Sequence, residues 1–113
     1  MSETVLREGD GNIFMINVFD VEPENQQELA RVMSEGADKH IRNRPGCLSV
    51  NILTSRDGKR LLYVAQWTSK DGIKAAMGDP DIQAVRDRAA ELAKPDAHAY
   101  TVYSLHHPDA PQD

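Results

Sequence analysis

Two runs of strand-forming residues, 47–55 (CLSVNILTS) and 61–68 (LLYVAQWT), flank the segment Arg56-Asp57-Gly58-Lys59-Arg60. An Asp-Gly pair between apolar runs is a strong hairpin signal, because glycine reaches positive φ without a steric cost. The two runs are expected to pair antiparallel, and the rest of the chain has to be arranged around them.

Upstream, residues 13–21 (IFMINVFDV) follow a Gly-Asp-Gly-Asn loop signal and read as the first strand. Pro23 suits a first helical turn, Glu24 and Glu28 complement its dipole, and Leu29, Val32, Met33, Gly36, Ala37, His40 and Ile41 recur at helical spacing. This helix should stop before Pro45, with Gly46 supplying a tight turn into the second strand. Downstream, Ser69 is a plausible N-cap for a short helix carrying Ile73, Ala76 and Met77, broken at Gly78-Asp79-Pro80. A second helical stretch with Ile82, Val85, Ala89 and Leu92 runs to about Lys94. Pro95-Asp96 then precedes a last strand from Ala97 to about His106, and the tail from His107 is expected to be loose.

The order β-α-β-β-α-β predicts an α+β, ferredoxin-like domain: a four-stranded antiparallel sheet with its helices on one face. A single domain over residues 1–113 is expected, with a structured core of about 12–106 and loose termini. The other sheet face is left bare, and an identical face covers it most simply, hence an expected homodimer. The alternative is a monomer whose second face is polar.

Lys and Arg number 13 against 18 Asp and Glu, a net charge of −5, and no basic run is present. Nucleic acid and anionic membranes are poor partners for such a chain. A single cysteine, Cys47, rules out an intramolecular disulfide, and no stretch of about 18 apolar residues exists to span a bilayer. A cytoplasmic protein that takes a small molecule or another protein is expected.

Arg86 falls on the apolar stripe Ile82, Val85, Arg86, Ala89, while Asp87 and Arg88 point away from it, so Arg86 is aimed at the protein and wants an anionic or hydrogen-bonding partner. The plainer alternative is that its stem packs while its head reaches water. Leu61, Tyr63, Ala65 and Trp67 share one strand face. If that face looks at the helices, Tyr63, Trp67 and Arg86 line one cavity; otherwise the rings are core filling. His40 is a candidate base beside the space left by Gly36 and Ala37, or a satisfied core histidine. Asn17 is placed to hydrogen-bond a ligand carbonyl, or to face water. His106 and His107 face opposite ways and make a poor metal pair, and no phosphate loop, nucleophile elbow or dinucleotide fingerprint occurs. Cys47 reads as a structural thiol.

The turn Arg44-Pro45-Gly46-Cys47-Leu48-Ser49 and the segment Ala65-Gln66-Trp67-Thr68-Ser69 leading into a helix, in this order, resemble the antibiotic biosynthesis monooxygenase superfamily over residues 13–105. The resemblance implies a dimeric α+β barrel, with a pocket between sheet and helices in each protomer. In the anthrone-oxidising members the substrate anion activates dioxygen, which is a co-substrate, and no metal or flavin is required. Trp67 and Arg86 match a tryptophan and an arginine of those enzymes. Tyr63 stands where they keep an asparagine, and Ile73 where they keep a tyrosine. Of the asparagine, tryptophan and histidine of the haem-degrading members, only Asn17 has a counterpart, with Ala76 and Arg86 in the other places, so haem degradation is not expected.

The resemblance therefore implies a cofactor-independent monooxygenase for a phenolic, anthrone-like or quinol-like small molecule of polyketide or secondary metabolism. Arg86, Trp67 and Tyr63 would carry the chemistry, and Asn17, His40, Ile73 and Met33 would bind substrate. The alternatives are an accessory protein that binds a ligand or assists its cyclisation, and an isomerase or lyase with His40 as base.

Overall fold

The computed structural model describes residues 2–109. Strand β1 (Ile13–Val21) leads through a 3-10 turn (Pro23–Asn25) into helix α1 (Gln26–Gly36), which ends in a π-helical turn (Ala37–Ile41). The hairpin follows as β2 (Cys47–Thr54) and β3 (Arg60–Trp67), then α2 (Lys70–Met77), α3 (Pro80–Leu92) and β4 (Ala93–Tyr100). The sheet order is β2-β3-β1-β4, with every neighbouring pair antiparallel. The ferredoxin-like α+β arrangement expected from the sequence is the fold observed.

Gly58 turns the hairpin at φ 80°, and Gly46 turns the chain into β2 at φ 86°, a region where a side chain is strained. The buried Gln26 ties α1 to this hairpin, its Nε2 donating to the carbonyls of Ser55 and Arg60, each at 2.9 Å. Leu61, Ala65 and Trp67 of β3 and Phe19 and Val21 of β1 are buried under the helices. Alternation therefore puts Met15, Asn17 and Tyr63 on the same, helix-facing side. Leu29, Leu61 and Ile82 are fully buried, each contributing about 1.5–3 kcal/mol of apolar stabilisation. Helices α1 and α3 approach closely where Gly36 meets Val85: a Cβ on Gly36 would lie 2.8 Å from Val85 Cγ1.

The last strand corrects the sequence reading. Helix α3 stops at Leu92, and β4 starts at Ala93 and includes Pro95, opposite Phe19. Proline lacks a ladder donor, which is tolerated here because β4 is an edge strand. Pairing ends at Tyr100, so the strand does not reach His106.

The opposite sheet face carries Ile16, Val18, Leu62 and Val64, all partly exposed, and Leu53, 52% exposed. It is not wholly bare. The N-terminal segment, expected to be loose, crosses it: Gln66 Nε2 donates to the Val5 carbonyl at 2.8 Å, Thr4 meets Asn51, and the Leu105 amide donates to Glu8. Among the described residues, no helix is long and apolar enough to cross a membrane.

Candidate active site

The helix-facing residues of β1, β3 and β4 form the floor of a cleft of about 360 Å³, roofed by α2, α3 and the end of the first helix. Of the seven residues singled out from sequence, six line it: Arg86, Trp67, Tyr63, Asn17, Ile73 and Met33. His40 does not. The π turn is the reason, because its wider winding rotates the side chains that follow Ala37 away from the α-helical stripe. Ile41 takes the inward position at 6% exposure, and the His40 imidazole faces Asp81 at the surface, Nδ1 4.0 Å from Oδ2. Asp87, expected to point away, contributes to the cleft lining and accepts a hydrogen bond from Gln83 at 2.8 Å.

Trp67 is held by two glycines. A Cβ on Gly72 would lie 3.2 Å from Trp67 Cε3 and 2.9 Å from the Pro45 carbonyl oxygen, and one on Gly46 would lie 4.0 Å from Cε3. The indole therefore fills a slot between the Pro45-Gly46 turn and α2, with only 3% of its surface exposed. This explains physically why the proline-glycine turn and the glutamine-tryptophan segment occur together in the sequence.

Tyr63 lies opposite Asn17 on β1 and Ile52 on β2. Burial, reinforced by the nearby Cys47, pushes its phenol well above the usual tyrosine value, with no hydrogen-bond partner among the described residues to offset the shift. The hydroxyl is thus a neutral donor at physiological pH and not a base. Because the folded-state value is raised, its contribution to stability is intact below the unfolded tyrosine pKa of about 10 and declines as pH rises beyond it, by at most about 1.4 kcal/mol per unit. An alkaline titration followed by tyrosinate absorbance should lose its latest component in Tyr63→Phe. An unchanged titration would contradict this protonation state.

Asn17 has its amide oxygen engaged, accepting from the Asp96 backbone N–H at 3.0 Å. This contact clips β4 to β1 immediately after Pro95 and leaves the Asn17 NH₂ as a donor. Arg86 sits exposed at the cleft mouth, and among the described residues it forms no ion pair. Its Nη1 lies 3.4 Å from Met77 Sδ. The sequence did not single out Met77 as a site residue, although it ends the α2 stripe just before the Gly78 break. Burial also raises the pKa of Cys47, which is half-buried outside the cleft lining, in keeping with a structural thiol.

Arg86, the Asn17 amide and the Tyr63 hydroxyl give the cleft polar donors at three points in largely apolar walls. Such a site suits a largely apolar small molecule bearing hydrogen-bond acceptors. The family model for antibiotic biosynthesis monooxygenases matches residues 12–88. The chain belongs to that family. Over 81 residues it is 35% identical to the tetracenomycin-F1 monooxygenase of Streptomyces glaucescens, a match covering 72% of each protein. The structure of the ActVA-Orf6 monooxygenase of Streptomyces coelicolor, in complex with nanaomycin D, is 26% identical with a TM-score of 0.77, covering 90% of this chain and 96% of that one. SnoaB of Streptomyces nogalater, described as a cofactor-independent oxygenase, shares the fold at 20% identity and a TM-score of 0.67, covering 84% and 96%. The family reading from the two sequence motifs is thereby established. The chain is an oxidoreductase of the monooxygenase kind.

Proposed function

We propose that this enzyme oxidises an anthrone-like, phenolic or quinol-like molecule with dioxygen as its only co-substrate, in the cleft between Trp67, Tyr63 and Arg86. The observation that carries this reading is a guanidinium with no ion-pair partner among the described residues, at the mouth of a largely apolar cleft whose Tyr63 hydroxyl is neutral. Arg86 favours the ionised form of the substrate, so the ring system enters as an electron-rich anion whose proton leaves to solvent through the mouth. Trp67 and Ile73 hold the ring plane and exclude water, and Met33 closes the far wall. The anion passes one electron to dioxygen, the two radicals combine to a peroxide anion that takes back a proton from water, and loss of water from the resulting hydroperoxide leaves a carbonyl. One oxygen atom ends in product and one in water, so a methylene supplies all four electrons and no external reductant is needed. The Tyr63 hydroxyl and Asn17 NH₂ donate to the oxygen atoms of the bound anion.

The test is oxygen uptake by chelator-treated, flavin-free protein with dithranol as a model anthrone. Uptake that survives chelation supports the reading. Ligand-dependent thermal stabilisation without uptake would replace it with an accessory binding protein, and turnover under strict anaerobiosis with an isomerase or lyase.

The partly apolar sheet face supports assembly as a homodimer through that face, and the cytoplasm is the compartment proposed for it. Leu53→Arg or Val64→Arg should then convert a dimer to a monomer in size exclusion with light scattering. A wild-type protein that elutes as a monomer would contradict this assembly.

A further inference from the structure

We propose that Met77 is the positioning residue for Arg86 and a site of reversible control by peroxide; this rests on the reading of Arg86 above. Met77 is the last residue of α2, 40% exposed at the cleft rim, with its sulfur 3.4 Å from Arg86 Nη1. A thioether is a weak, neutral acceptor. It aims the guanidinium across the mouth without neutralising it, which a carboxylate at the same place would do. The full charge is thus kept for the substrate.

Oxidation changes that balance. Hydrogen peroxide, formed when two superoxide ions that escape the productive path take up two protons and disproportionate to peroxide and dioxygen, transfers one oxygen atom to the sulfur. The O–O bond breaks, an S–O bond forms, sulfur loses two electrons, and water leaves. The sulfoxide oxygen is a strong acceptor at hydrogen-bond reach of Arg86, and it competes with the substrate oxyanion for the same donors. Of the three methionines in the cleft walls, Met33 is buried at 6% exposure and Met15 is only partly exposed, so Met77 is the one peroxide reaches first.

The test uses the chain's single tryptophan, Trp67, whose fluorescence reports directly on the cleft. Binding of 1,8-dihydroxyanthraquinone, a probe that needs no turnover, is titrated before and after mild peroxide treatment, with peptide mass mapping of the oxidised site. Sulfoxide should form at Met77 ahead of Met15 and Met33, and Kd should rise about tenfold, as for one lost charge-assisted hydrogen bond. Met77→Gln, which places an amide oxygen near Arg86, should reproduce that rise without peroxide. It should raise KM for dithranol while kcat stays within about twofold, a split that general destabilisation does not produce. Met77→Leu should be insensitive to peroxide, and methionine sulfoxide reductase should restore the treated wild type. Sulfoxide at Met77 with an unchanged Kd would overturn the proposal, as would peroxide sensitivity persisting in Met77→Leu. Failure of untreated protein to bind the probe would overturn both this proposal and the cleft reading. Binding that responds as described but without oxygen uptake would overturn only the proposed chemistry.

Discussion

Arg86→Ala is expected to lower kcat/KM for dithranol by about two to three orders of magnitude, equivalent to about 2.7–4 kcal/mol of lost charge stabilisation. The expectation follows from the surroundings of Arg86. It forms no ion pair among the described residues, and its guanidinium donates to the Met77 thioether at 3.4 Å. No ion pair among the described residues depends on its charge, so its removal should leave stability within the range of ordinary surface substitutions, about 0.5 kcal/mol. Arg86→Lys should recover part of the loss, because an ammonium supplies the charge but not the planar fork. Full activity in Arg86→Ala would mean that the oxyanion is held elsewhere, with the Asn17 NH₂ and Tyr63 hydroxyl as the remaining donors.

Gly72→Ala is expected to destabilise the protein by about 1–3 kcal/mol through overpacking. At an ordinary helical position the sign would be opposite, since alanine is favoured over glycine by about 1 kcal/mol. Here the added Cβ would lie 2.9 Å from the Pro45 carbonyl oxygen, which is backbone and cannot swing aside, and 3.2 Å from the Trp67 ring. The strain falls on the contact that seats the indole. A loss of activity should therefore accompany a melting temperature lowered by about 4–8 °C per kcal/mol. Chemical denaturation and near-ultraviolet circular dichroism measure the two parts separately. A stabilised variant would show that the Trp67 slot is looser than these distances imply.

Most of the fold is legible in the residue pattern because the elements satisfy local and long-range demands together. Alternation along 61–68 puts Tyr63 and Trp67 on one face, which the structure shows to be the helix-facing one, and the stripe through Ile82, Val85 and Ala89 brings Arg86 to the same cleft. The last strand was less legible, because a proline in a strand reads as a boundary unless one knows that the strand lies at an edge. A 3.6-residue period points His40 inward, the π turn breaks that period, and nothing in residues 37–41 announces the change of winding. The Asn17 clip joins residues 79 positions apart and has no local signal. The contact between Met77 and Arg86 depends on the crossing of two helices, which periodicity alone does not define. Nor did the polar N-terminal segment, without an apolar period of its own, announce that it lies across the sheet.

The central claim is that a cofactor-free cleft inserts one atom of dioxygen into its substrate, and isotope incorporation tests it most directly. Chelator-treated protein is supplied with dithranol under ¹⁸O₂ in ordinary water, and the product is analysed by mass spectrometry within the first turnovers. The account predicts one ¹⁸O atom per oxidised product, with the other recovered in water, and a matching loss of rate in Arg86→Ala. Product carrying only solvent oxygen, or formed equally fast without dioxygen, would contradict it.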